Sequence, residues 1–172
     1  MDESCVKAAI AATGEIAKRV MEGPPVLLGT IERASRGTPG HPGLLNGAAL
    51  LRAGRVDRIQ GKRLLPSYDV FHEHRWFVPG AKTGTVTVAD RRVGLLVCED
   101  LWDDNYPTHP PAELVADGAE LLGCISSARW TLDFSASVLR ASSSSASASS
   151  ASGTTFMIDV PISTRSPSLS RA

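Results

Sequence analysis

Val93-Gly94-Leu95-Leu96-Val97-Cys98-Glu99-Asp100-Leu101-Trp102-Asp103-Asp104 is the stretch on which the fold of this chain turns. Four of its first five residues are apolar, and a cysteine followed by acidic residues comes directly after them. A short apolar run that stops in this way reads as a buried strand delivering one thiol to the rim of a sheet. Open α/β sheets place their chemistry at the carboxyl ends of strands. A cysteine there serves as a nucleophile when its neighbours supply a base and stabilise a thiolate.

Working outward, Arg92 to Val97 reads as a strand paired with Thr85 to Val88 through a turn at Asp90-Arg91. Downstream, Pro110 to Ala116 begins a helix with prolines in its first turn. Gly118 closes that helix, and Ala119 to Ile125 is the next strand. Strand, helix and strand at this spacing predict a right-handed crossover unit. Nearer the N-terminus, Val6, Ala9, Ile10, Ile16, Ala17 and Val20 recur at helical spacing, predicting an amphipathic helix over 3–21. Thr13 is the one polar residue on its apolar face, and Gly23-Pro24-Pro25 stops it. Val26 to Ile31, Leu44 to Leu51 and Val56 to Ile59 read as strands, the last two joined by a hairpin turn at Gly54. Residues 61–80 show little periodicity and are dense in charged and aromatic side chains, as long functional loops are.

The 172 residues are enough for one domain with a core. Eighteen basic and eighteen acidic residues cancel, so no excess of positive charge points to nucleic acid. No apolar run approaches a membrane span. Met1-Asp2-Glu3-Ser4 puts acid where a secretion signal carries positive charge, so the expected location is cytoplasmic. Cys5, Cys98 and Cys124 are an odd number without CxxC spacing, which argues against a disulfide framework and a zinc site. His72 and His74 flank Glu73 without a third ligand at suitable spacing, so no metal is expected.

Cys98, Lys62 and Glu73 are the residues whose chemistry fits together. Cys98 offers the nucleophile. Lys62 follows a strand and opens the long loop, so its ammonium can face the thiolate and a developing oxyanion. Glu73, in the same loop, can orient the amine or accept a proton. Each also has an ordinary reading. A cysteine at a strand end is often a small buried hydrophobe, a lysine in a Gly-Lys-Arg run is a solvated charge, and a glutamate between histidines is a surface charge. Spacing alone leaves both readings open.

Taken together, these segments resemble the nitrilase (carbon–nitrogen hydrolase) superfamily, and most closely the glutamine amidohydrolase domain of glutamine-dependent NAD(+) synthetases. The resemblance rests on VLLGT at 26–30, NGAALLRAGRV at 46–56, KRLLPSYDVFHEHRWFVPG at 62–80, VGLLVCEDLWDD at 93–104 and AELVADGAELL at 112–122, within residues 3–126. It implies a Glu–Lys–Cys site in which Cys98 is the nucleophile, Lys62 the lysine and Glu73 a second, supporting glutamate. It further implies that the backbone N–H of Glu99 forms an oxyanion hole with Lys62, and that Tyr68 and Ser126 lie at the substrate pocket. The implied substrate is glutamine, hydrolysed through a cysteine thioester to supply ammonia for NAD biosynthesis. That half-reaction needs no cofactor. ATP and Mg belong to the family's synthetase domain, whose SGGxDS motif does not occur in this chain. The family implies neither a nucleic acid nor a membrane partner, and a homo-oligomer for the intact protein.

The implied fold is α/β, a partial nitrilase-like α-β-β-α sandwich of mixed sheets flanked by helices, over residues 1–130. The family's general-base glutamate lies on a strand upstream of the helix at 3–21, and Glu3, Glu15 and Glu22 match nothing in that pattern. The expectation is therefore a fragment without the first strands and the C-terminal core. It is expected to be inactive alone, since removing one member of a coupled catalytic set costs several orders of magnitude in rate. Two further readings stand beside it: a stand-alone amidase of the same superfamily, and a non-catalytic truncated protein that associates with a complete subunit. After Trp130 the composition shifts, and residues 141–152 are only serine and alanine. Residues 131–172 are expected to be a disordered tail, or one read out of frame, with Phe156 to Val160 as a strand-like run.

Overall fold

Helix α1 spans Glu3–Arg19 in the computed structural model. The structure describes residues 2–35, 41–68, 71–82 and 84–126, and the backbone of 148–150 and 155–159. Asp2 fixes the start of α1, its carboxylate accepting from the backbone N–H groups of Ser4 and Cys5. Lys18 and Arg19 close the last turn, where cations suit the negative end of the helix dipole. Val6 and Ala17 are buried, as the periodicity predicts. Thr13 is buried with them. Its hydroxyl donates to the carbonyl of Ala9 at 3.0 Å and meets the hydroxyl of Thr30 at 2.6 Å. The polar member of the face thus enters the helix–sheet contact already paired, as buried polar groups must.

Strands β1 (Val26–Arg33), β2 (Leu44–Arg52) and β3 (Arg55–Gly61) form an antiparallel sheet in that order. Ala53 and Gly54 both have positive φ, 49° and 77°, the turn geometry that matches strand twist in a two-residue hairpin. Strands β4 (Val86–Val88) and β5 (Arg91–Val97) are joined in the same way through Ala89 and Asp90. That turn lies one residue earlier than the Asp90-Arg91 reading, because both residues of such a turn need positive φ and Asp90 is its second. Helix α2 (Pro110–Ala116) leads to β6 (Leu121–Ile125), which runs parallel to β5. The second sheet is ordered β4-β5-β6-β8-β7, with β7 at Ala148–Ser150 and β8 at Thr155–Asp159.

Strand alternation sorts the side chains into layers. Leu27, Leu50, Val86, Val93, Leu95 and Leu121 pack between the two sheets. Ala48, Val97, Cys98 and Ile125 continue that layer toward the strand ends. On the other face of the first sheet, Ala49 and Leu51 pack against Ala17 of α1. On the other face of the second, Leu96, Leu122 and Cys124 pack with Leu114 of α2. The order is helix, sheet, sheet, helix. A one-residue slip would exchange the faces of a strand, so this pattern fixes register as well as layering.

Within the stretch read as a tail, β8 lies where Phe156 to Val160 was strand-like, antiparallel to β6. Apart from β7 and β8, residues 127–172 lie outside the described residues, and with them the expectation of a disordered or out-of-frame tail. Among the described residues, no helix is long and apolar enough to cross a membrane.

Candidate active site

At the end of β5 the chain bends into a short 3-10 turn, Cys98–Leu101. Cys98 begins that turn at φ 48°. This is the left-handed region, which costs a residue with a side chain about 1–2 kcal/mol. A sharp corner at a strand end is how a nucleophile is lifted clear of its sheet.

Asp100 shapes the corner. Its carboxylate is 0% exposed. One oxygen accepts the backbone N–H of Val97 at 3.1 Å, and the other accepts those of Arg63 and Leu64 at 2.9 Å each. Burial pushes this carboxyl up to about 6, against the downward pull of the three donors and of Lys62.

Lys62 arrives at the cleft from β3. Its backbone N–H donates to the carbonyl of Asn46 and its own carbonyl accepts from Gly80, each at 2.7 Å. The side chain is 1% exposed, and Nζ donates to Glu73 Oε1 at 2.8 Å. The other oxygen of Glu73 accepts from Asn46 Nδ2 at 3.4 Å. Glu73 is held there because the loop doubles back. Glu73–Arg75 form a 3-10 turn, and Val78 then donates to the carbonyl of Leu44 at 2.8 Å. Farther out, Arg63 forks onto Glu113 of α2 at 3.0 and 3.3 Å, and Lys82 joins that carboxylate at 3.3 Å. The hydrogen bonds from Arg63 hold Glu113 below its ordinary carboxylate range.

Cys98, Lys62, Glu73, Asn46, Phe71 and Ser126 line one cleft of ≈ 320 Å³. The structure therefore brings together the three residues whose chemistry fitted, and it puts Ser126 beside them. Tyr68 is not among the residues lining this cleft, though it feels the charges of Cys98 and Glu73. Its ring is exposed, but its hydroxyl donates to both carboxylate oxygens of Glu99 at 2.9 and 3.0 Å. Tyr106 donates to the same carboxylate at 2.9 Å. Burial and then the bond to Glu99 push Tyr68 up to about 12, and move Tyr106 upward for the same reasons. Glu99 follows Cys98 directly, so its backbone belongs to the corner while its side chain serves the two phenols. Reading the sequence missed Asn46, Phe71 and Asp100 as site residues. Of these only Asp100 carried a signal, as an acid just past a buried strand. Among the described residues, no group of three His, Cys, Asp or Glu is placed to hold a metal ion.

The three thiols differ in access. Cys5 is exposed, Cys98 is half-buried and Cys124 is buried. Burial pushes the Cys124 thiol well up. A maleimide added to the native protein is expected to modify Cys5 and Cys98 and to spare Cys124. Peptide mass mapping reads this directly, and Cys124 labelling as fast as Cys5 would contradict its burial.

The chain is 32% identical to the glutamine-dependent NAD(+) synthetase of Synechocystis sp. over 116 residues, which are 62% of this chain and 20% of that protein. The protein of the same name from Xanthomonas campestris pv. campestris is 43% identical over 79 residues, 45% of this chain and 14% of that one. The chain is homologous to part of the glutamine-dependent NAD(+) synthetases. It spans a fifth or less of the length of these two curated relatives. No protein-family model matches it. Among solved structures, the glutamine-dependent NAD(+) synthetase of Acinetobacter baumannii, in complex with ADP, superposes with a TM-score of 0.61 at 21% identity, over 73% of this chain and 22% of that chain. A carbon–nitrogen hydrolase from Helicobacter pylori G27 superposes with a TM-score of 0.52 at 23% identity, over 74% of this chain and 40% of that one. The common architecture is the nitrilase-like α/β fold, of which this chain has a part.

Proposed function

We propose that this chain is a glutaminase-like domain in which Cys98 takes the glutamyl group of a side-chain amide as a thioester. One observation carries the reading: the cleft joins a cysteine held in a left-handed corner to a buried lysine paired with a carboxylate. Cys98 Sγ attacks the amide carbon, and its proton passes to Glu73. Lys62 Nζ and the N–H of Glu99 take up the charge that develops on oxygen. The C–N bond then breaks as the proton reaches nitrogen. Ammonia leaves, and water hydrolyses the thioester to glutamate and free thiol. The half-reaction balances without a cofactor. The name of the relatives suggests NAD synthesis as the use of the ammonia, in a longer or assembled protein.

Glu73 is the one carboxylate lining the cleft among the described residues, and it is already bonded to Lys62 and Asn46. With Lys62 on one Glu73 oxygen and Asn46 on the other, no carboxylate oxygen is left over to align the deacylating water, so with an activated anilide acylation is expected to outrun turnover and the chain alone to release ammonia slowly. A second reading, a non-catalytic chain that associates with a complete subunit, draws on β1. Among the described residues β1 is an outer strand of its sheet, and an open strand edge invites a partner strand.

The purified chain, given γ-glutamyl p-nitroanilide, is expected to release p-nitroaniline in a burst approaching one equivalent and to carry a γ-glutamyl adduct on Cys98. Cys98→Ala is expected to do neither. Mass spectrometry showing no adduct on Cys98 would overturn the hydrolytic reading and turn attention to association.

A further inference from the structure

We propose that Asp100 is a positioning residue: by tying the backbone of Arg63 and Leu64 to the end of β5, it sets Lys62 against Cys98. The inference rests on the amide-hydrolysing reading of the cleft and adds to it the side chain that fixes the distance between its two working groups.

The geometry has a simple logic. The nucleophile sits on the second sheet, at the corner after Val97, and the lysine sits at the end of β3 in the first sheet. Nothing in the local sequence joins them, since they are far apart in the chain. Asp100 lies two residues after Cys98, and its partners Arg63 and Leu64 lie one and two residues after Lys62. A single carboxylate therefore receives donors from the strand that carries the thiol and from the loop that carries the amine. It is fully buried, and a carboxylate is tolerated there because backbone donors satisfy it. Of the loop's other anchors, Arg63 on Glu113 fastens it to α2, and Tyr68 on Glu99 reaches the corner side chain to side chain from farther along the loop, whereas Asp100 grips the backbone directly after Lys62. Lys62 is held within the first sheet and its loop by Asn46 and Gly80 at the backbone and by Glu73 at the ammonium, and Asp100 joins that unit to the corner that carries Cys98. A displacement on the order of 1 Å at a reacting group can cost about 100-fold in rate.

Two rates on the same thiol test this. Acylation by γ-glutamyl p-nitroanilide develops charge on a carbonyl oxygen and so feels the position of Lys62. Reaction with methyl methanethiosulfonate forms a mixed disulfide with release of a sulfinate, and no oxyanion hole is involved. Asp100→Asn places an amide N–H₂ among donors and loosens the tie. It is expected to lower the acylation rate by about 10- to 100-fold and to leave the disulfide-forming rate within about threefold. Lys62→Met is expected to lower acylation further, and the double variant no further than Lys62→Met alone, as two residues acting through one contact should. If Asp100→Asn does not fold, Leu64→Pro deletes one loop donor while keeping the carboxylate, and carries the same expectation. Should either Asp100→Asn or Leu64→Pro change melting temperature while both rates keep their ratio, Asp100 is only structural and the proposal falls. Should Lys62→Met leave the ratio unchanged, the role given to the lysine fails, and the inference fails with it.

Discussion

Lys62→Met is expected to slow acylation of Cys98 about 100- to 1,000-fold, the usual loss when one donor to a developing oxyanion is removed. Methionine fills much the same volume with no charge and no donor. The ammonium it replaces is almost wholly enclosed, and Glu73 is 18% exposed at its side chain. Removing the lysine leaves that carboxylate with Asn46 as its remaining side-chain partner. Breaking a buried pair on one side costs about 3–5 kcal/mol, and the partial exposure of Glu73 places this case at or below the low end. A second substitution separates stability from rate. Lys62→Met combined with Glu73→Gln removes the stranded charge, so urea melts should recover most of the loss while acylation stays slow. A rate within tenfold of the parent protein in Lys62→Met would remove the lysine from the chemistry.

Gly80→Ala is the second substitution with a large expected effect. A Cβ at Gly80 would stand 2.5 Å from the carbonyl carbon of Gly61 and 2.8 Å from its Cα, and closer still to the carbonyl oxygen. These are backbone atoms of β3 and cannot rotate aside. Either the strand shifts or the bond from Gly80 to the carbonyl of Lys62 opens. The expected destabilisation is about 3 kcal/mol or more, at the upper end for overpacking. Gly84→Ala is the control, because nothing lies within 4 Å of a Cβ there. Urea midpoints of the two variants should differ sharply, and equal midpoints would mean that the loop gives way easily. Since Gly80 holds the backbone of Lys62, its variant should also acylate Cys98 more slowly than Gly84→Ala does.

Much of the fold is written locally. The apolar run of Leu44 to Leu51, the helical spacing of Val6 to Val20 and the apolar run into Cys98 each concern neighbours in the chain, and each became the element expected. The turn at Gly54 was legible because glycine marks a positive φ. The site was legible only in its reactive groups. Asp100 gave little away because its meaning lies in two backbone donors 36 and 37 residues upstream. Asn46 looked like one polar residue in an apolar strand, and its bond to Glu73 spans 27 residues. Tyr68 shares a loop with Lys62, but the partner of its hydroxyl, the Glu99 carboxylate that Tyr106 also bonds, lies 31 residues on. Contacts of this kind depend on how one sheet is laid on the other, and no local pattern encodes them.

The left-handed corner at Cys98 bears on how this chain would respond to directed evolution. Glycine would occupy φ 48° with about 1–2 kcal/mol less backbone strain, so the most stable occupant of position 98 is not the one present. A library screened for heat resistance alone is therefore expected to discard the thiol early, and a screen that keeps it must ask for reactivity as well. A residue that its own backbone disfavours is poorly explained as filler for a core. The strain at this one position weighs against reading Cys98 as a small buried hydrophobe.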